Sequence, residues 1–405
     1  MVSTVHLSDE DEARFLPVHP NWSTPLKYAY EFKTDIITSW DGKEQRRAAR
    51  WNPRMQLSFA GNVHGPSKLA LDYYMATWLT KKTLIPDYIT FLDIVIEMEA
   101  EATSAVVVGD LSWITPGMTV AVYDRQGRME TREVLTKGTN SIVFFDATTT
   151  VFAVGSRISP IFEGYIQATP KPQRVTSGIV AMAVQFDVEP GSFDYTPPDG
   201  DSYAGFREFF GKKPDWSGGV GLDVLWPRET VDYGFGQVSH FVPYQFPARI
   251  TRMNFVGRDK GDVKKAVDFF RRHRGRWKEF VVPTWENDVP YAFIGAGSKS
   301  ILIDGQNFGS VYRDSSVFKR IVLRMADGRV VHNAVDFVEA LSETDTSVLW
   351  TKDDLPTESL TPETLNGISW GLVGRFATDR LEIDWLTDTV AQFSMTFQSL
   401  ENFDL

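Results

Sequence analysis

The chain has 405 residues with 42% hydrophobic and 13% aromatic content, enough for roughly two to three packed domains. Its net charge of -11 argues against a general nucleic-acid binder, which needs cations to neutralise phosphates. With no cysteine there are no disulfides or thiolate ligands; with no apolar run near the roughly 18 residues of a membrane span, and an acidic start (MVSTVHLSDEDEARF), neither membrane insertion nor export is expected.

Residues 1–24 are polar and aperiodic, with Pro17 and Pro20, and read as an arm that packs on a neighbour or stays mobile. From residue 25 strands alternate. Tyr28, Tyr30 and Phe32 share one face, and Ile36 and Ile37 lead into an Asp41-Gly42 turn. Arg46, Arg47, Arg50 and Arg54 then form the most basic short segment, read as an exposed strand edge that pairs with acidic neighbours. Met55, Leu57 and Phe59 follow on one face of a strand. A helix from Ser67 to about Leu79 turns Leu71, Tyr74, Met75 and Trp78 to the core.

Between about 91 and 162, six short β segments separated by turns such as Thr115-Pro116-Gly117 and Arg125-Gln126-Gly127 predict a small antiparallel barrel or sandwich. Two strands follow, 164–168 and 177–188. The second carries apolar residues on both faces and is expected to be almost fully buried. Residues 190–236, rich in Pro, Gly and Asp, read as a linker whose aromatics Phe206, Phe209, Phe210 and Trp216 need cover.

The segment from Asp262 to Val289 is the most legible in the chain. Val263, Ala266, Val267 and Phe270 make an apolar helix face, with Lys264, Lys265, Asp268, Arg271 and Arg272 on the other side. Asp262 is placed to cap the helix and Gly275 to end it; a strand of Phe280, Val281 and Val282 stops at Pro283. Residues 67–88 read as a second copy of this segment. Gly61 matches Gly257, Ser67 matches Asp262, Pro86 matches Pro283, Gly127 matches Gly328, Tyr165 matches Phe376 and Phe186 matches Phe397, all in one order. The separations, by subtraction 196, 195, 197, 201, 211 and 211, drift as loop insertions would make them.

The expected fold is therefore mainly β (α+β): two tandem β-sandwich or barrel domains, 25–189 and 237–405, each with one flanking helix. Small β-barrel insertions fall at about 91–162 and 291–350.

Catalytic chemistry has little local support. His6, His19, His64, His240, His273 and His332 lack metal-pair spacing, and there is neither a G-x-S-x-G elbow nor a GxxxxGK[ST] loop. Asp124, Glu130, Asp304, Asp314 and Asp384 single out no glycosidase pair, and Asp199-Gly200-Asp201 is at most a weak calcium loop. No catalytic residue, metal or cofactor is expected.

Three blocks, Lys27 to Arg54, Ala266 to Trp285 and Leu381 to Glu401, resemble tail proteins of long-tailed bacteriophages. The patterns are the Thr-x-Ile-x-x-Ser-x-Asp-Gly-x-Glu-Gln-Arg opening, a helix of the form FFxxRxGR, here FFRRHRGR with His273 at the first arginine place, followed by a strand and Pro-Thr-Trp, and the Asp384-Trp385-Leu386-Thr387-Asp388 close. The resemblance implies two tail-tube-like domains in a tail-tip structural protein, a central hub or distal tail protein. It implies a ring, a trimer with a hexamer as the other choice, located in the virion and assembled in the host cytoplasm. The implied partners are the tail tube protein and other tail-tip, spike or fibre proteins, with DNA passing without specific binding. The insertions are larger than a bare tube domain has. The candidate residues for contacts in such a ring are Arg46, Arg47, Arg50, Arg54, Arg271, Arg272, Arg274 and Arg276. A second expectation, a carbohydrate-binding or glycan-degrading tail component, rests on Trp113, Trp216, Trp277, Trp285 and Trp350.

Overall fold

The computed structural model describes residues 14–40, 42–124, 127–167, 169–191, 197, 210–226, 228–242, 247–315, 317–358 and 360–400. The chain is mainly β, 47% strand and 9% helix, so strand pairing sets its architecture. The first half runs through Leu26–Glu31 (β1), the hairpin Thr34–Thr38 and Glu44–Ala48 (β2, β3), Arg54–His64 (β4), helix Pro66–Thr77 (α1) and Thr83–Pro86 (β5). Short strands follow: Leu92–Ile94 (β6), Ser104–Val108 (β7), Thr119–Tyr123 (β8), Met129–Lys137 (β9) and Ser141–Phe144 (β10). Arg157–Ile166 (β11), Gln173–Arg174 (β12) and Ile179–Val188 (β13) end it.

The second half runs through Gly221–Leu225 (β14), the hairpin Glu229–Asp232 and Val238–Phe241 (β15, β16), Ala248–Gly257 (β17), helix Lys260–His273 (α2) and Phe280–Pro283 (β18). Then come Tyr291–Ile294 (β19), Ser300–Asp304 (β20), helix Asn307–Tyr312 (α3), Arg320–Met325 (β21), Val330–Leu341 (β22) and Thr346–Thr351 (β23). Leu365–Phe376 (β24), Arg380–Trp385 (β25) and Ala391–Ser399 (β26) close the chain.

In the first half β1, β4 and β13 pair in sequence, β13 also pairs β12 and the end of β11, and β11 pairs β5. The other end of β11 closes a six-stranded barrel through β8, β9, β10, β7 and β6 around its own core, which includes Val107, Val122, Phe144 and Phe152. In the second half β14, β17 and β26 pair in sequence, β26 also pairs β25 and the end of β24, and β24 pairs β18. The other end of β24 continues through β21, β22, β23, β20 and β19 around a core that includes Ile301, Leu323, Leu349 and Trp370.

One set of separations satisfies the registers of both main sheets. Tyr28 opposite Leu57 and Leu222 opposite Thr251 differ by 194 at each end. Ile161 opposite Pro86 and Gly371 opposite Pro283 differ by 210 and 197. Gln173 opposite Ala181 and Asp384 opposite Gln392 differ by 211 at each end. Two of the sequence matches shift on this basis. Ile166, not Tyr165, aligns with Phe376, because an odd slip would turn a side chain to the other face; Tyr165 is indeed exposed where Phe376 is buried. Gly61 aligns with Phe255 rather than Gly257. The turn pair holds: Asp124 N–H donates to the Arg128 carbonyl and Met325 N–H to the Arg329 carbonyl, with Gly127 and Gly328 at φ 86 and 90.

Five other expectations change. β13 is buried on one face only, through Val180, Met182, Val184 and Phe186, while its other face is open. Residues 221–225 and 229–232, expected in a linker, are strands that pair with β17 and with β16. Phe210 is buried among Phe255, Phe269 and Phe397, whereas Trp216 is partly exposed; Phe206 and Phe209 lie outside the described residues. Of the arm, residues 1–13 lie outside the described residues, and Phe15, Leu16 and Val18 are buried in the chain's own core rather than against a neighbour. The cap of α2 is Asp259, whose side chain accepts from Asp262 N–H at 2.8 Å.

The two halves share one detail that composition cannot produce by chance. A Cβ on Gly164 would lie 2.1 Å from the Asp187 carbonyl oxygen, and one on Gly374 2.8 Å from the Gln398 carbonyl oxygen, the aligned residue. Both strands cross their neighbour too closely for any side chain. Gly164→Ala is expected to cost at least about 2 kcal/mol and Gly374→Ala somewhat less, while Gly178→Ala, with open space around it, changes nothing; urea unfolding of the three variants checks the order.

Candidate assembly interface

The halves are joined edge to edge. β25 pairs β1 antiparallel over six residues, from Leu26 opposite Trp385 to Glu31 opposite Arg380, so the two main sheets form one continuous surface. The core is continuous too: Phe32 of the first half meets Phe270 of α2 at 5.7 Å.

The hairpin β2–β3 reaches across this seam. The Arg375 guanidinium donates to both oxygens of Glu44, from Nε at 2.8 Å and Nη2 at 2.6 Å, and from Nη1 to the Phe376 carbonyl at 2.9 Å. Both side chains are buried, a setting in which a fully satisfied bidentate pair holds and a half-removed one is costly. Arg46 extends the network, 3.8 Å from Glu44 and 3.2 Å from Glu279. Asp379 accepts from the Thr34 backbone and hydroxyl, both at 2.8 Å, and from Arg276 N–H at 2.9 Å. The Arg274 guanidinium stacks 3.6 Å from the Trp51 ring centre and 4.8 Å from that of Trp277. At the far end Arg157 of the first half pairs with Asp388 at 3.0 Å, while Phe91 sits between Arg157 and Lys260, at 3.7 and 3.9 Å.

Three of the eight arginine side chains proposed for ring contacts are thereby occupied near or at the seam within one chain: Arg46 and Arg274 as above, and Arg50, which donates to the Glu31 carbonyl at 2.7 Å; Arg276 takes part through its backbone N–H. Arg271, expected on the outward face of α2, is buried, as is Asp268, because that face is covered by β1 and lies near Tyr30. Arg272 is half-buried beside Phe269. Only Arg47, opposite Asp35 in the hairpin, and Arg54 stay exposed. Glu44, Glu279, Arg375 and Asp379 escaped the sequence reading, since a pair 331 residues apart leaves no local signature.

Among the described residues no group of three or more His, Asp or Glu side chains is placed to hold a metal ion. Asp199-Gly200-Asp201 lies outside them. Asp124 holds Arg128, Glu130 holds Arg132 with Thr149 and Thr150, and Asp384 faces Lys27 at 3.4 Å. The tryptophans sit in separate surroundings: Trp285 is buried, Trp350 stacks on Phe337, Trp277 meets Trp51 and Trp113 packs on the first barrel's core. No described helix is long and apolar enough to cross a membrane. No protein-family model matches the chain, and no curated protein matches it in sequence.

Two predictions follow from the buried groups. Glu44→Gln leaves a buried guanidinium without its counter-charge and is expected to cost about 3–5 kcal/mol, whereas Glu44→Leu combined with Arg375→Met costs less than either single change, as unfolding of the four proteins would reveal. Burial also lowers the pKa of His19 and His332 to about 4 and of His273 to about 3, below the unfolded value of 6.5. The unfolded chain then binds more protons, so stability is full above pH 6.5 and falls as pH drops toward 4, by on the order of 2 kcal/mol per histidine at pH 5. Urea midpoints that stay level from pH 7.5 to 5 would contradict this.

Proposed function

We propose that the chain is a structural virion protein of the tail tip of a long-tailed bacteriophage, a hub or distal-tail ring between the tail tube and the host-recognition apparatus. The observation that carries this reading is where the three resembling blocks meet. Lys27 to Arg54 supplies β1 and the hairpin β2–β3, Leu381 to Glu401 supplies β25 and β26, and Ala266 to Trp285 supplies α2 and β18. β1 pairs β25, and the hairpin touches Glu279, so the segments of resemblance converge on one joint between two domains of like topology.

The open face of the continuous sheet fits a DNA passage. Gln56, Ser58, Gln185, Gln392, Ser394 and Thr396 are neutral, Lys27 and Arg380 are neutralised by Glu382, Asp384 and Glu31, and the exposed Arg54 and Arg252 share the face with Asp187. Fixed unpaired cations there would hold phosphates; paired ones let them slide. In this reading the duplicated chain presents two tube-like domains, so three copies offer six to a sixfold tube, and other tail-tip or spike proteins bind below.

Light scattering of the purified protein, joined to negative-stain images, tests the proposal. A ring of three copies, about 137 kDa from three chains of 45.8 kDa, is expected for a hub and one of six for a distal tail protein. A chain that stays monomeric and joins no tail particle would end it.

A further inference from the structure

The joint within the chain uses two surfaces, β1 with its hairpin on one side and β25 with α2 on the other. Each has an aligned counterpart elsewhere. β14 with the hairpin β15–β16 corresponds to the first, by the separation of 194; β12 corresponds to β25 by 211 and α1 to α2 by 195. Among the described residues β14 pairs only with β17 and β12 only with β13, so each keeps an open edge where its counterpart is paired.

Side chains sharpen the comparison. Tyr30 and Phe32 are buried against α2 of the second half, and Tyr28 within its own half between Phe162 and Asp87; their counterparts Leu222, Val224 and Trp226 are just as apolar yet 51%, 55% and 52% exposed. Among the described residues nothing covers this alternating apolar strand. On the other side, α1 leaves Tyr73 59% exposed, while Asp268, the residue aligned with it in α2 by the separation of 195, is buried. The ion pair has its own counterpart: Arg375 aligns with Tyr165 and Glu44 with Val238, which are 42% and 46% exposed. Tyr165 borders a groove of about 410 Å³ that Arg54, Gln56, Asp187 and Glu189 also line.

We infer that a second copy of this chain occupies these surfaces: β14 and the β15–β16 hairpin of one molecule dock on β12, α1 and the Tyr165 groove of the next, repeating the internal joint. The aligned register sets Asp223 opposite Lys171, as Ala29 is opposite Glu382, a pairing of opposite charges. Val238 meets Tyr165 where the internal joint has an ion pair, so the contact between chains is apolar at its centre and holds at high salt. Pro170 and Pro172 beside β12 lack N–H groups, which limits that edge and leaves docking to the side chains. The contact is head-to-tail and has free ends until a ring closes. It rests on the ring reading above only for closure.

The test exploits the absence of cysteine. In a Lys171→Cys, Asp223→Cys chain, oxidation is expected to give covalent multimers ending at one closed size, since docking in the register of the internal joint places these two side chains directly opposite and within disulfide reach. Tyr165→Arg alone and Val238→Glu alone each bury an unpaired charge and should weaken assembly at least about 100-fold without changing the unfolding midpoint; together they transplant the internal ion pair and should recover most of it. Rings of the double-cysteine chain that stay uncross-linked on oxidation, or rings that tolerate Tyr165→Arg, would overturn this contact and leave the ring reading standing. A wild-type chain that never self-associates would overturn both, and would assign the open face to residues 1–13 or to a different protein.

Discussion

A guanidinium and a carboxylate from opposite ends of the sequence, Arg375 and Glu44, meet in a place without water. Burying either alone would be prohibitive, so their meeting depends on both halves being folded and docked at once. The pair is flanked by Arg46 with Glu279, by Asp379 with the Thr34 and Arg276 amides, and by a guanidinium between two tryptophan rings. Together with the β1–β25 ladder these contacts fix one geometry between the domains. A continuous sheet follows from that constraint, and with it a continuous polar face.

The two halves follow one path but present different surfaces. α2 is sandwiched between its own sheet and the first half, and its basic residues near the C-terminus serve the joint; α1 has a sheet on one side only. The cationic appearance of α2 in sequence thus reflects contacts inside the chain rather than affinity for nucleic acid. The reverse holds for β14, whose apolar residues are exposed although its aligned strand is buried. Identical topology with a one-sided distribution of cover is what an unfinished repeat of the same joint looks like.

Much of the candidate interface was legible in part. The arginine cluster at 46–54 and the basic helix were singled out as contact residues, and several of those side chains do make contacts near or at the seam, within the chain. The sequence could not say with which acids they pair, because Glu279 and Asp379 lie far from the hairpin in the chain and look like any surface carboxylate. Arg271 was misread for the same reason: periodicity assigns a helix one buried face, and a second cover arriving from another domain is invisible to it.

What the sequence by itself determined is local and periodic. The alternation of Met55, Leu57 and Phe59, the helix faces, the glycine turns at 127 and 328, and the order of elements in each half all follow from side-chain spacing and backbone sterics. What only the tertiary structure decided is which edges pair and which stay open. β1 and β14 carry equivalent patterns, and nothing in either strand says that one will find β25 while the other will not. That choice rests on contacts between the halves such as Arg375 with Glu44, a long-range geometric matter. The same physics shifted the sequence alignment by one or two residues, since a strand's register is set by the neighbour it pairs with rather than by its own residues.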